Sequence, residues 1–225
     1  MTARSAASFA AQARAALAPL ADPVKAAGMR AYMKGQFAFL GVQTPQRRQA
    51  VRALIGEFTG DPLAAAGELW AEPEREFQYV ACDLLSRQAG ALSAADVDGL
   101  LDLVSAKSWW DTVDALAQTI GTLVRRHPEL VARMDRLIDD ADLWRRRVAL
   151  LHQLGAKAET DRARLFDYCL RRAGEREFFI RKAIGWALRD YAWHDPQAVR
   201  RFLDRHGDTL SPLSRREAAK NLDRI

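Results

Sequence analysis

The sequence predicts an all-α chain, a solenoid of stacked helical hairpins, and three observations carry that expectation. Nearly every segment places apolar residues at helical spacing. No run alternates apolar and polar residues with the β-branched character of a strand. Finally, Phe77, Trp110, Trp144 and Phe178 recur at intervals of 33, 34 and 34 residues, each leading a helical stretch: FQYVACDLL, WDTVDALAQ, WRRRVALLHQL and FFIRKAIGWAL. A period of this length is one helical hairpin, which cannot bury its apolar face alone and stacks on its neighbours.

Each helix has a recognisable start. The stretch MTARSAASFAAQARAAL alternates alanine with polar residues, lacks a continuous apolar signal core, and is expected to open the first helix. Further starts follow at ADP (21–23), TPQRR (44–48), GDP (60–62), EPE (72–74), LSAAD (92–96), HPEL (127–130), HDP (194–196) and SPLS (211–214). An acid or hydroxyl ahead of proline suits a helix N-terminus, because the side chain caps free N–H groups and proline fits the first turn. Twelve or thirteen helices joined by short turns are expected, with no linker, so 1–225 is taken as a single domain. The tetratricopeptide repeat has a similar period, but its Gly/Tyr/Ala/Pro layout is not evident. HEAT-like hairpins fit better, and in such an array equivalent helices line one concave face.

The charge balance is 34 Lys+Arg against 29 Asp+Glu, a net +5 that permits a polyanionic partner without requiring one. Arginine doublets at 47–48, 125–126, 171–172, 200–201 and 215–216, with a triplet at 145–147, are spread over most repeats. Singly, each is a solvated helix end; together they suggest a basic, DNA-binding track. Cys82 and Cys169 are too few for a disulfide framework or a zinc site, which suits a reducing cytoplasm. No apolar run of about 18 residues marks a membrane span. A monomer is expected, with no cofactor and no metal.

The stretch KSWWDTVDAL (107–116) puts two tryptophans side by side on a helix. Trp109, Val113, Leu116, Ile120 and Leu123 form one apolar stripe, which assigns Trp109 to the core. Trp110 and Asp114 lie one turn apart on the adjacent stripe, continued by the small residues Ala117 and Gly121, so they are expected to project from a surface cleared of bulk. From this helix alone, packing of Trp110 at a helix edge with Asp114 paired to an arginine remains the simpler account. One repeat on, Arg147 interrupts the stripe Leu143, Leu150, Leu154, and needs an anion to receive it: Asp114 or a phosphate. A further repeat on, Trp186 lies on the stripe of Phe179, Ala183 and Asp190, beside an inward row of Ile180, Ile184 and Tyr191. Asp111 is off the Asp114 stripe and is expected to cap or to sit at the surface.

These residues exclude most chemistry. No Ser or Cys pairs with a His in a recognisable elbow, no Gly-rich loop cradles phosphate, and His127, His152, His194 and His206 are scattered, each expected in a turn or at the surface. What remains is a carboxylate flanked by indoles, a set suited to stabilising a developing cation. Glycosidic cleavage passes through an oxocarbenium-like sugar. A single acid suffices where the leaving group needs no proton, as for bases alkylated at N3 or N7.

The chain resembles the AlkD family of DNA alkylation-repair glycosylases, built of HEAT-like repeats. The resemblance covers essentially the full length and rests on YMKGQFAFLGVQTPQRR (32–48), KSWWDTVD (107–114), HPEL (127–130), WRRRVALL (144–151), EFFIRKAIGWALRDYA (177–192) and PLSRREAAK (212–220). It implies hydrolysis of the N-glycosidic bond of cationic purines such as 3-methyladenine and 7-methylguanine in double-stranded DNA, without a base-specific pocket. In that resemblance Asp114 matches the catalytic acid, Trp110 and Trp186 the aromatics at the deoxyribose, and Arg147 the arginine near the lesion phosphate. Tyr32 and Gln43 match residues that approach the DNA opposite the lesion, and Arg189 a backbone contact. Arg47, Arg48, Arg146, Lys182, Arg215 and Arg216 are the further DNA contacts expected. Related HEAT-like proteins without the acid bind DNA but do not cleave it, so a non-catalytic binder of branched or damaged DNA is the alternative; a protein-interaction scaffold is a third.

Overall fold

The computed structural model describes residues 5–220 together with Leu222. The first four residues of the expected opening helix therefore lie outside the described residues. Among those described, thirteen α-helices run in order: α1 (Ala6–Leu17), α2 (Pro23–Tyr32), α3 (Thr44–Gly56), α4 (Pro62–Ala71), α5 (Arg75–Arg87), α6 (Val97–Ser105), α7 (Trp110–Arg126), α8 (Val131–Leu137), α9 (Leu143–Leu151), α10 (Arg162–Arg171), α11 (Phe178–Ala192), α12 (Pro196–His206) and α13 (Pro212–Ala219). The only β feature among them is an isolated bridge between Ala38 and Glu74. None of these helices is long and apolar enough to cross a membrane.

The punctuation works as the local chemistry requires. Asp22, Asp61, Asp195 and Ser211 each accept a backbone N–H from the first turn, with proline next in the chain. Asp142 and Asp161 cap α9 and α10 in the same way without a proline. TPQRR opens α3 and EPE precedes α5, but neither helix has a side-chain cap. LSAAD and HPEL each form a short 3-10 turn leading into a helix, the first closed by a reciprocal Ser93–Asp96 capping box.

The chain divides into two compact units, residues 1–103 and 104–225, with the division inside α6. In the first, α1 packs on α3 and α4, and α5 packs on both α3 and α4. The loop between α2 and α3 is tied down by Glu76, a fully buried carboxylate that accepts the N–H groups of Leu40, Gly41 and Val42 at 3.0, 2.8 and 3.0 Å. Gly41 must be glycine: its φ is +92° and a Cβ would lie 2.1 Å from the Asp22 carbonyl oxygen.

In the second unit the alternate helices α7, α9, α11 and α13 pack in succession, while α8, α10 and α12 flank them. Val113, Leu116, Ile120 and Leu123 are completely buried, as their stripe requires. Ala117 and Gly121 correct an expectation. Neither clears a surface, and Gly121 is small because a neighbour presses on it. Both are buried, and a Cβ on Gly121 would meet the His152 carbonyl oxygen at 1.8 Å. His152 lies in the turn that ends α9, one of the two places expected for it, and it is buried there. Its Nδ1 bonds the Ala149 carbonyl at 2.7 Å, and burial pushes its pKa down to about 4. Cys82 and Cys169 are both buried.

Candidate functional site

The site is built within the second unit, from three successive helices. Ahead of α7, Lys107 takes a left-handed conformation (φ 49°) and the Ser108 hydroxyl donates to the Val104 carbonyl at 2.7 Å, ending α6. Trp109 is the extended residue that precedes α7, and Trp110 is the first helical residue. Helical periodicity does not yet govern Trp109, so it departs from the core position its stripe implied. It is only half-buried, and it packs against Trp144 and Phe179 with ring centroids 5.9 and 5.1 Å away. Its indole N–H is buried with no acceptor within reach. Asp111, in the first turn, accepts the Thr112 N–H at 3.0 Å, a local role at the positive end of the helix.

Asp114 lies one turn beyond Trp110 and is engaged from α9. Arg147 Nε donates to its Oδ1 at 2.6 Å and Nη2 to its Oδ2 at 2.8 Å, a bidentate pair. Of the two anions open to Arg147 from the sequence, the structure supplies Asp114. The third guanidinium nitrogen, Nη1, donates to the Phe179 carbonyl at the start of α11. Arg147 is 1% exposed, whereas 19% of the Asp114 side chain reaches solvent. The carboxylate is thus the open side of the pair. Burial holds the Asp114 carboxyl above the ordinary aspartate value, an effect that the Arg147 bonds oppose and the charge of Asp111 reinforces. Each carboxylate oxygen accepts one Arg147 hydrogen bond and keeps further acceptor capacity.

Trp186 on α11 completes the set. The Arg147 guanidinium carbon lies 5.4 Å from its ring centroid, Lys182 Nζ 5.4 Å and the Arg189 guanidinium carbon 5.9 Å. Three cations on a half-buried indole fix its plane and leave part of it exposed. Asp114, Arg147 and Trp186 are therefore brought together through Arg147, with Trp110 half-buried one turn from the acid.

The other expected contacts divide. Tyr32, at the end of α2, is 69% exposed, and Gln43, ahead of α3, is also exposed. Arg47 lies buried. It pairs with Asp83 at 3.2 Å and lies over Tyr79 at 4.9 Å, so its guanidinium does not face solvent as a phosphate contact would. Arg48 is exposed and pairs with the same carboxylate at 3.1 Å. In the second unit Arg146 is held by the carbonyls of Asp140 and Ala141 and by Glu175. Lys182 and Arg189 share Glu217. Arg215 pairs with Asp208 at an exposed site, and Arg216 is exposed. Much of the arginine track is thus engaged internally: Arg171 and Arg172 both bind Asp139, and Arg145 pairs with Asp140. Sequence reasoning missed Glu76 and Glu217. Only the N–H groups that Glu76 meets and the cations that Glu217 meets reveal their roles.

The chain is thus a helical-repeat protein in which a buried arginine holds a half-open carboxylate beside indoles. The comparisons with known proteins then place it. The profile of the DNA alkylation repair enzyme family matches residues 13–222, and the chain belongs to that family. A solved structure from Enterococcus faecalis, described as a predicted DNA alkylation repair enzyme, is 35% identical, with a TM-score of 0.84 over 91% of this chain and 98% of that one. No curated protein matches the sequence.

Proposed function

We propose that this DNA repair enzyme is a monofunctional glycosylase of the AlkD type, which hydrolyses the N-glycosidic bond of cationic alkylated purines in duplex DNA. The observation that carries this is the Asp114–Arg147 pair, with its carboxylate on the open side. As the C1′–N bond of 3-methyladenine or 7-methylguanine breaks, the electron pair goes to the ring nitrogen and the base departs neutral. No acid is needed for the leaving group. Positive charge develops on the sugar, where the Asp114 carboxylate and the faces of Trp110 and Trp186 oppose it. Water then adds at C1′ and releases a proton, leaving an abasic site. Asp114 has acceptor capacity to orient that water. Arg147, buried and bonded to both carboxylate oxygens, fixes Asp114 in place, and the chain acts as a monomer.

One observation favours the other reading, a non-catalytic DNA-binding protein: both Asp114 oxygens are already bonded to Arg147, as in a structural ion pair. The deciding experiment is base release from methylated duplex DNA. Wild-type protein is expected to release 7-methylguanine, and no release above background, with duplex binding retained, establishes the binder.

A further inference from the structure

Helix α13 comes close enough to α11 to place a carboxylate beside the Trp186 indole. Gly185 permits the approach, since a Cβ there would lie 2.5 Å from Glu217 Cβ and 2.8 Å from the Ser214 carbonyl oxygen. Ser214 fixes the register. It is completely buried, and its hydroxyl donates to the Arg181 carbonyl at 2.9 Å. Docked in this way, Glu217 Oε1 takes Lys182 Nζ at 2.9 Å and Oε2 takes Arg189 Nη1 at 3.1 Å. Lys182, Trp186 and Arg189 are spaced i, i+4, i+7 on α11, so the two cations bracket the indole along one stripe. Only 13% of the Glu217 side chain is exposed, and the Lys182 hydrogen bond holds its pKa below the ordinary glutamate value. It is therefore ionised at neutral pH.

We propose that Glu217 is a positioning residue: it clamps Lys182 and Arg189 onto Trp186, fixing the indole for the sugar and withholding both cations from DNA phosphates. This rests on the glycosylase reading of the site. Two consequences follow from the geometry. Without the Glu217 charge, the lysine and arginine no longer share an anchor and the indole loses its fixed plane, so the chemical step slows. The same two cations become available to phosphate, so duplex binding strengthens and depends more steeply on salt. A residue that merely supports the fold would lower activity, binding and stability together.

The test measures single-turnover base release and the salt dependence of duplex binding for Glu217→Gln, alone and in a Trp186→Ala background. Release is expected to slow by about ten- to hundredfold, the scale on which displacing a catalytic contact costs rate. The loss should vanish in the Trp186→Ala background. Duplex affinity should be retained or raised, with a log–log salt slope steeper by about one to two, as each added phosphate contact contributes ~0.9. An equal loss of release in both backgrounds, or weakened binding in step with it, overturns the proposal. If Glu217→Gln does not fold, Arg189→Gln removes one end of the clamp, and its effect on release must likewise disappear without Trp186. Wild-type protein that releases no base contradicts the glycosylase reading instead. In that case an unchanged salt slope in Glu217→Gln overturns the clamp, and a steeper one upholds the masking of the two cations.

Discussion

In the first unit one carboxylate, Asp83, serves two arginines; in the second, one arginine, Arg147, occupies both oxygens of one carboxylate, Asp114. Both clusters join neighbouring helices, α3 with α5 and α7 with α9, and both have an aromatic ring beneath a guanidinium. Their polarity is reversed. The earlier helix supplies the cations in the first unit and the acid in the second. The consequence is what is left over. Asp83 is outnumbered, so the cluster has excess positive charge with Arg48 at the surface. Asp114 is matched one to one and buried enough that its proton affinity rises.

The largest way to break this comparison is to remove the shared partner in each cluster. Arg147→Ala leaves the Asp114 carboxylate buried without its counter-charge, and should cost about 3–5 kcal/mol in denaturant unfolding. Asp83→Ala should cost less, about 1–3 kcal/mol, because Arg48 is already solvated and Thr44 still accepts from Arg47 at 3.4 Å. Equal losses would mean that the two clusters have the same structural task.

A second test uses pH. His152 is buried and neutral in the second unit, with its pKa lowered from 6.5 to about 4. The unfolded chain binds the proton more readily, so this group contributes stability that is fully present above about pH 6.5 and is lost as pH falls toward 4. The shift corresponds to about 3 kcal/mol. Asp114 acts oppositely: its raised pKa means that its stabilising contribution is present at low pH and is lost as pH rises through the folded value. Urea midpoints at pH 7 and pH 4.5 should therefore fall less in His152→Gln than in wild type; the same fall in both would remove His152 from the account.

The smallest expected effect is at the surface of the first unit. Arg48→Gln should change stability by less than about 0.5 kcal/mol. It should reduce the salt slope of duplex binding by about 0.9 if Arg48 neutralises one phosphate.

The helix wheel and the repeat period account for what was legible. Caps at Asp22, Asp61, Asp195 and Ser211 announced helix starts, and the 33-residue offset from Asp114 to Arg147 announced a contact between equivalent helices. A wheel assigns direction within a helix but not the identity of what covers it. This is why Gly121 read as a cleared surface although the end of α9 presses on it, and why the turn expected at His152 gave no sign that the ring is buried. It is also why Glu76 and Glu217 went unremarked. Trp109 failed for a different reason: it precedes the first helical turn, where periodicity has not begun.

The central claim is that Asp114 performs chemistry rather than only neutralising Arg147. Its most direct test is base release from methylated duplex DNA by wild type and Asp114→Asn, with duplex binding measured on the same preparations. The account predicts release slower by about 10²–10³-fold, the scale of a lost charge-stabilising group, with binding unchanged or tighter. Equal release by the two proteins would contradict it.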